Sequence, residues 1–230
     1  MANQSSTIHA RRFEAALASG GTSGTPIYEA VLSLAGRIGL QGDVLEFGAG
    51  TASLARQFFD GNLRGTVTCA DLLPRPRGLV ETVQWIQADL NEPLPVPDRS
   101  YDAIVSTEVI EHLENPRAVF REFSRLLRTG GTLLLSTPNQ ESLRSLAALV
   151  LRGHFVDFLD GSYPAHITAL VRKDFERLCH ENDFEPPTFA YTNHGGIPRV
   201  PRIAWQTLTF GGLKGRLFSD NVLVLTTRRP

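Results

Sequence analysis

Two periods run through the chain: short stretches dense in apolar residues, and longer ones with an apolar residue every third or fourth position, the patterns of strands and helices. Residues 8–19 and about 26–38 carry helical spacing on either side of the breaker GGTSGT, with Pro26 where a first helical turn tolerates it. DVLEFG (43–48) reads as the first core strand, followed by a helix over 51–59. TVTCAD (66–71), VQWIQAD (83–89) and YDAIVST (101–107) read as the second, third and fourth strands. The spacing predicts a helix over 116–127 that stops at Gly130 and Gly131, then TLLLSTP (132–138) as a fifth strand ended by Pro138. Helical spacing returns over 142–152 and from Val171, and TFAYTN (188–193) and NVLVLTT (221–227) read as two last strands.

Strands alternating with helices predict an α/β fold, doubly wound, with a mostly parallel sheet and helices on both faces. A chain of 230 residues with no internal repeat forms one domain of this kind. Its parts are N-terminal helices over 1–40, a core half over 43–137 and a further half over 138–230. Two Gly- and Pro-containing segments of the last part, 153–167 and 194–217, are long enough to close over a ligand and are expected as lids.

Composition narrows the function classes. The longest apolar run, 146–151, is far too short for a bilayer, and the first residues lack the apolar core of a secretory signal, so a cytoplasmic chain is expected. Cys69 and Cys179 show no metal-type spacing and read as core residues. A net charge of −1 gives no reason to expect nucleic acid. Arg199, Arg202, Lys214 and Arg216 lie among apolar residues, which allows weak peripheral membrane contact beside the blander reading of a solvated lid.

The chemistry concentrates at one edge of the expected sheet. In VLEFGAGTA, Gly48 and Gly50 stand at a strand-to-helix turn, where missing side chains let a ligand approach main-chain amides. Asp71 ends the next strand about twenty residues on, the place of an acid that accepts from both hydroxyls of a ribose. Asp89 is expected to close the third strand in the same way.

This series, from Val44 to about Pro138, resembles the class I S-adenosylmethionine-dependent methyltransferases in order and spacing. Within them, EVIEHLENP with STPN is most similar to the branch containing quinone-biosynthesis O-methyltransferases and methyltransferases of glycans, lipids and secondary metabolites. The resemblance implies a Rossmann-like sheet of seven strands with the last one antiparallel, S-adenosyl-L-methionine as cofactor and S-adenosyl-L-homocysteine as product. It implies that Glu46, Gly48, Ala49 and Gly50 face the methionine part and that Asp71, with Leu72, holds the ribose. Asp89 and Leu90 would meet the adenine, and Thr107 and Glu108 would run beneath the sulfonium. The family often has glycine where this chain has Ala52. The implied acceptor is a small molecule, a lipid or quinone, or a glycan, methylated on oxygen.

Two other readings stand beside it. A nicotinamide-dependent oxidoreductase would need G-x-G-x-x-G, which Ser53 breaks, and no tyrosine is followed four residues later by lysine. A non-catalytic scaffold would keep the cofactor site and lose the acceptor side, where Glu111 and His112 are present.

Transfer from a sulfonium needs alignment above all, and a base only when the acceptor is protonated. His112, with Glu111 beside it, is the catalytic candidate, against the plainer reading that both open the next helix. The E-x-x-E-H spelling of Glu108, Glu111 and His112 is also similar to that of small-RNA 3′-terminal 2′-O-methyltransferases, where a divalent metal takes a later histidine, matched here by His166. The balanced charge weighs against RNA, so a metal-free base is preferred and no residue is assigned to a metal. His9 and His180 read as solvated; Tyr163, Trp205 and Phe210 are candidates to stack on an acceptor.

Overall fold

A computed structural model describes residues 2–60 and 64–230, with side chains described for 8, 10–58 and 64–230. His9 therefore lies outside the described side chains. Two helices, α1 (Ala2–Ala18) and α2 (Thr25–Arg37), precede β1 (Gly42–Phe47), α3 (Ser53–Asp60), β2 (Gly65–Asp71), β3 (Gln84–Gln87) and β4 (Tyr101–Thr107). After these come α4 (Pro116–Leu126), β5 (Leu127–Pro138), α5 (Leu143–Arg152), α6 (Arg172–Glu181) and β6 (Thr188–Tyr191). The hairpin β7 (Gly196–Ile197) and β8 (Val200–Ala204), the short α7 (Trp205–Leu208) and β9 (Asn221–Thr227) complete the chain.

Seven strands form one sheet in the order β3-β2-β1-β4-β5-β9-β6. β9 runs antiparallel to both its neighbours, and the other pairs are parallel. This is the doubly wound, Rossmann-like arrangement expected, with the direction reversed only at the last strand. The period of two in β1 explains why both faces are covered. Val44 packs with Ile27, Val31 and Leu34 of α2 and with Leu54 and Phe58 of α3. Leu45 and Phe47 point the other way, toward Phe120 and Phe123 of α4 and Phe175 and Leu178 of α6. Phe47, Phe120, Phe123 and Phe175 are fully buried, and each such ring removed from water stabilises the fold by roughly 1.5–3 kcal/mol.

Three local expectations are corrected. The glycine pair 130–131 does not stop a helix: α4 already ends at Leu126, because Leu127 pairs with Tyr101. The glycines sit inside β5, in the bulge where the register jumps from Tyr101–Leu127 to Ala103–Thr132. β3 stops at Gln87, so Asp89 lies just beyond the strand and is held by its own turn, accepting from the Asn91 amide at 3.0 Å. α3 starts at Ser53 and not Thr51, whose N–H is taken by the Gly21 carbonyl at 2.9 Å. Cys69 and Cys179 are buried free thiols. Among the described residues no helix is long and apolar enough to cross a membrane.

Candidate active site

The carboxyl ends of β1, β2 and β4 open onto a cavity of about 600 Å³, at the edge where open α/β sheets take ligands. Every residue assigned from the sequence to the cofactor or to catalysis lines it: Glu46, Gly48, Ala49, Gly50, Asp71, Leu72, Asp89, Leu90, Thr107, Glu108, Glu111 and His112. The topology alone brings these separate segments together.

The glycine turn is held tightly. Gly48 and Gly50 have φ of +85° and +51°, which L side chains rarely adopt. A Cβ on Gly48 would collide with Val109, and one on Gly50 with the Gly21 carbonyl. The two glycines therefore answer to packing as well as to an open cradle. Ala52, at the third small position, bears the same left-handed backbone, at φ +58°.

Asp71 is buried at the end of β2, with Oδ2 accepting from Gly50 N–H at 2.7 Å and Oδ1 from Leu73 N–H at 2.8 Å. Burial raises its pKa, and the amides of Leu73 and Gly50 oppose that shift. Each carboxylate oxygen keeps accepting capacity for a hydroxyl. Glu46 is enclosed beside it, with the Cys69 thiol 3.5 Å from Oε2, and burial pushes its pKa up to about 8.

Asp89 is treated differently. Burial raises its pKa, but Asn91 and the Arg12 guanidinium outweigh that, and the net shift is downward. Arg12 Nη1 lies 2.7 Å from Asp89 Oδ2, while Nη2 and Nε hold both oxygens of Glu114 at 2.6 and 2.9 Å. Through this clamp α1 becomes a wall of the cavity, contributing Ile8, Arg11, Arg12, Ala15 and Ala16. The sequence pattern had assigned this helix no part in the site. The available signal was the row Ile8, Arg12, Ala15, Ser19, one helical face that mixes a cation with small residues.

Opposite the glycine turn lies a second cluster. Ile110–His112 form a single 3-10 turn, not the start of α4, so the helix-opening reading of Glu111 and His112 is set aside. Glu111 is fully buried; Oε2 accepts from Thr137 Oγ1 at 3.1 Å, and Oε1 has no partner among the described residues. Burial, then the neighbouring Glu108 carboxylate, hold its pKa well above the usual range. His112 Nδ1 lies 2.7 Å from the Ala165 carbonyl. Burial lowers the His112 pKa against the pull of the Ala165 carbonyl, which keeps the ring neutral at neutral pH. His166 stands edge to face with it, ring centroids 4.8 Å apart. Glu108 is turned aside: its oxygens accept from Ser136 Oγ at 2.7 Å and Asn221 Nδ2 at 2.8 Å, and its backbone sits at φ +54°. Thr107 Oγ1, also on the cavity, is buried with no partner among the described residues.

The two expected lids part ways. Segment 153–167 reaches the cavity through Tyr163, Pro164, His166 and Ile167. Segment 194–217 is absent from its lining and packs on itself and on the end of β5. Gln206 Nε2 donates to the Leu213 and Phe218 carbonyls, Asn139 Nδ2 donates to the Arg216 carbonyl, and Trp205 stacks edge-on with Phe218. Phe210 there is fully exposed. Of the aromatic stacking candidates only Tyr163 lines the cavity. His180 is exposed, as expected.

A family model described as "Methyltransferase domain" matches residues 18–187. A protein of Mycobacterium tuberculosis named a probable S-adenosylmethionine-dependent methyltransferase is 39% identical over 105 residues, 43% of this chain and 36% of that one. The ubiquinone biosynthesis O-methyltransferase of Xanthomonas oryzae is 31% identical over 148 residues, 56% and 60% of the two chains. The alignments thus span between about a third and three fifths of these relatives' lengths. In fold, the chain is similar to the Burkholderia thailandensis 1,6-didemethyltoxoflavin-N1-methyltransferase, solved with its acceptor and S-adenosylhomocysteine. The TM-score is 0.57 at 14% identity, covering 90% of this chain and 79% of that one.

Proposed function

The chain belongs to the class I S-adenosylmethionine-dependent methyltransferase family, and on that premise we propose that it is an enzyme methylating a hydroxyl group of a small-molecule, lipid or glycan acceptor. One observation carries the reading: Asp71, bonded to Gly50 N–H, and the Glu111–His112 turn line the same cavity. The residues fit the cofactor. Glu46 and the Gly48–Gly50 turn would hold its amino-acid end, Asp71 its ribose, and Asp89 with Leu90 its base, while the partnerless Thr107 Oγ1 is free to take a further polar contact. Bound there, S-adenosylmethionine supplies a methyl group on a sulfonium, a leaving group that needs no further activation.

The protein's share of the work is then alignment and exclusion of water. α1, clamped by Arg12 across Asp89 and Glu114, covers one side of the cavity. Tyr163, Pro164 and Ile167 cover the side next to His112. An acceptor hydroxyl between these walls lies against Glu111, His112 and His166, and its proton leaves toward that cluster. The hydroxyl acceptor is favoured by this concentration of proton-accepting groups.

The test is a transfer screen with methyl-labelled S-adenosylmethionine over phenols, quinol precursors, sugars, lipids and RNA ends. Label in a hydroxyl compound, lost in Asp71→Ala and His112→Ala, is the expected result. Label only in RNA, or in no acceptor class while S-adenosylhomocysteine binds, would count against it, the latter in favour of a scaffold.

A further inference from the structure

α5 turns its apolar face away from the core. Leu143, Leu146 and Val150 recur at i, i+3 and i+7 on one side of the helix, and all three are exposed. The residues that it buries are small: Ala148, and Ser145, whose hydroxyl donates to Gln140 Oε1 at 3.1 Å. Val150 and Leu151 are 82% and 70% exposed. A second apolar group stands beside this helix. Leu208, Phe210 and Leu217 are exposed, Phe210 fully, and four of the five residues of β8 are exposed, so the β7–β8 hairpin stands clear of the core. The two groups adjoin. Residues 216–218 lie against α5, Arg216 Nη1 is 3.6 Å from Glu141 just ahead of α5, and Arg144 of α5 pairs with Asp220 at 2.9 Å. α5 in turn leads into segment 153–167, whose exposed Tyr163 and Ile167 also line the cavity.

We infer that α5 and segment 194–217 form one docking face for an anionic lipid bilayer, beside the mouth of the cavity. The face rests on these exposures and charges alone, while entry of a membrane-borne acceptor at that mouth rests on the methyl-transfer reading. Charge selects the occupant. Residues 143–167 and 194–217 carry Arg144, Arg152, Arg199, Arg202, Lys214 and Arg216 against Asp157 and Asp160, six cations to two acids and a net +4. The whole chain stands at −1, which leaves −5 for the remainder. Arg152, Arg199, Arg202 and Lys214 are exposed, and such side chains lay their stems on apolar surface while their charged heads stay in water. An outward apolar row rimmed by cations is what an interfacial helix sinks into the headgroup boundary, and anionic lipids attract the rim. Tyr163, 73% exposed at the mouth, has the amphipathic ring that favours the same boundary. A second copy of this chain would instead set like charges against each other. α5 supplies the ordered apolar row that segment 194–217 lacks by itself.

The full chain is sedimented with vesicles of phosphatidylcholine alone and of phosphatidylcholine with about 30% phosphatidylglycerol. Saturable binding to the anionic vesicles is expected, about tenfold or more tighter than to the neutral ones and weakened at high salt. Val150→Glu, Phe210→Glu and the double variant Arg199→Glu, Arg202→Glu are each expected to weaken it by about fivefold or more. Val80→Glu, which puts the same charge on an exposed apolar residue between β2 and β3, is expected to match the wild type. S-adenosylhomocysteine is titrated into each variant. Unchanged affinity marks it as folded, since none of the altered residues lines the cavity. No vesicle binding, equal binding to both vesicles, or binding that survives every substitution in the face overturns the proposal. So does a stable dimer of the wild type that Val150→Glu dissociates, which gives the apolar row to a second copy. Vesicle binding lost in these variants, without S-adenosylhomocysteine binding to the wild type, supports the face and overturns the cofactor reading instead.

Discussion

Asp71 Oδ2 accepts a hydrogen bond of 2.7 Å from the Gly50 N–H, tying the end of the second strand to the turn that follows the first. One carboxylate thus orders the glycine turn and offers lone pairs to a ribose. Asp71→Ala is expected to weaken S-adenosylhomocysteine by roughly 1.5–3 kcal/mol, the scale of hydrogen bonds to a charged acceptor, and to lower thermal stability as two amides lose their partner. Calorimetry and a melting curve check both. An unchanged dissociation constant would put the ribose elsewhere.

Gly48 faces Val109 so closely that no Cβ fits between them. Gly48→Ala is expected to destabilise by about 1–3 kcal/mol, from strain at positive φ and from overpacking. Adding Val109→Ala removes the clash and leaves the strain, so the double variant should recover part of the loss in a denaturant titration. Recovery of nothing would mean that the conformational term alone requires glycine.

Among the described side chains of α1, Arg12 alone reaches both Asp89 and Glu114. Arg12→Ala should cost only about 1 kcal/mol of global stability, in keeping with a partly solvated ion pair. Its larger expected effect is local: faster hydrogen exchange over 8–19 and a weaker grip on the cofactor. Unchanged exchange there would show that α1 is held by its apolar contacts.

Glu46 provides a pH signature. Its pKa is about 8 in the folded chain against an ordinary 4.5, chiefly through burial, with the Cys69 thiol, the Ala55 amide and the Asp71 carboxylate as its polar neighbours. The folded state therefore binds a proton that the unfolded state releases between these values. The associated stability is complete below the lower value and is lost as pH rises through the upper one. Glu46→Gln cannot ionise, so it should gain on the wild type between pH about 5 and about 8, by on the order of 1 kcal/mol per pH unit. Melting profiles that stay parallel would mean that Glu46 is ionised in the fold.

The parts legible in the sequence are those set by local periodicity. β4 and β9 span the residues that their apolar runs mark out, because each is a central strand covered on both sides. Gly130 and Gly131 misled because a glycine pair ends a helix and makes a bulge with the same residues, and only the pairing of Tyr101 with Leu127 decides between them. On the cavity, the strand-end residues were legible since the topology of an open sheet carries them to one edge. Gly21 was not: its carbonyl meets Thr51 N–H through a contact across the fold that no local pattern encodes. His166 was legible only as a spelling, and its place beside His112 depends on the strap from Ile167 and Thr168 to Glu111. Segment 194–217 looked like a lid because it is long and rich in glycine and proline, yet Gln206 and Asn139 tie it down on its own carbonyls.

The most direct test of the cofactor site is a pair of calorimetric titrations of the wild-type chain, one with S-adenosylhomocysteine and one with NADH. The account predicts saturable binding of one S-adenosylhomocysteine per chain, about tenfold or more weaker in Asp71→Ala, and no heat from NADH. Tight NADH binding with no response to S-adenosylhomocysteine would contradict it.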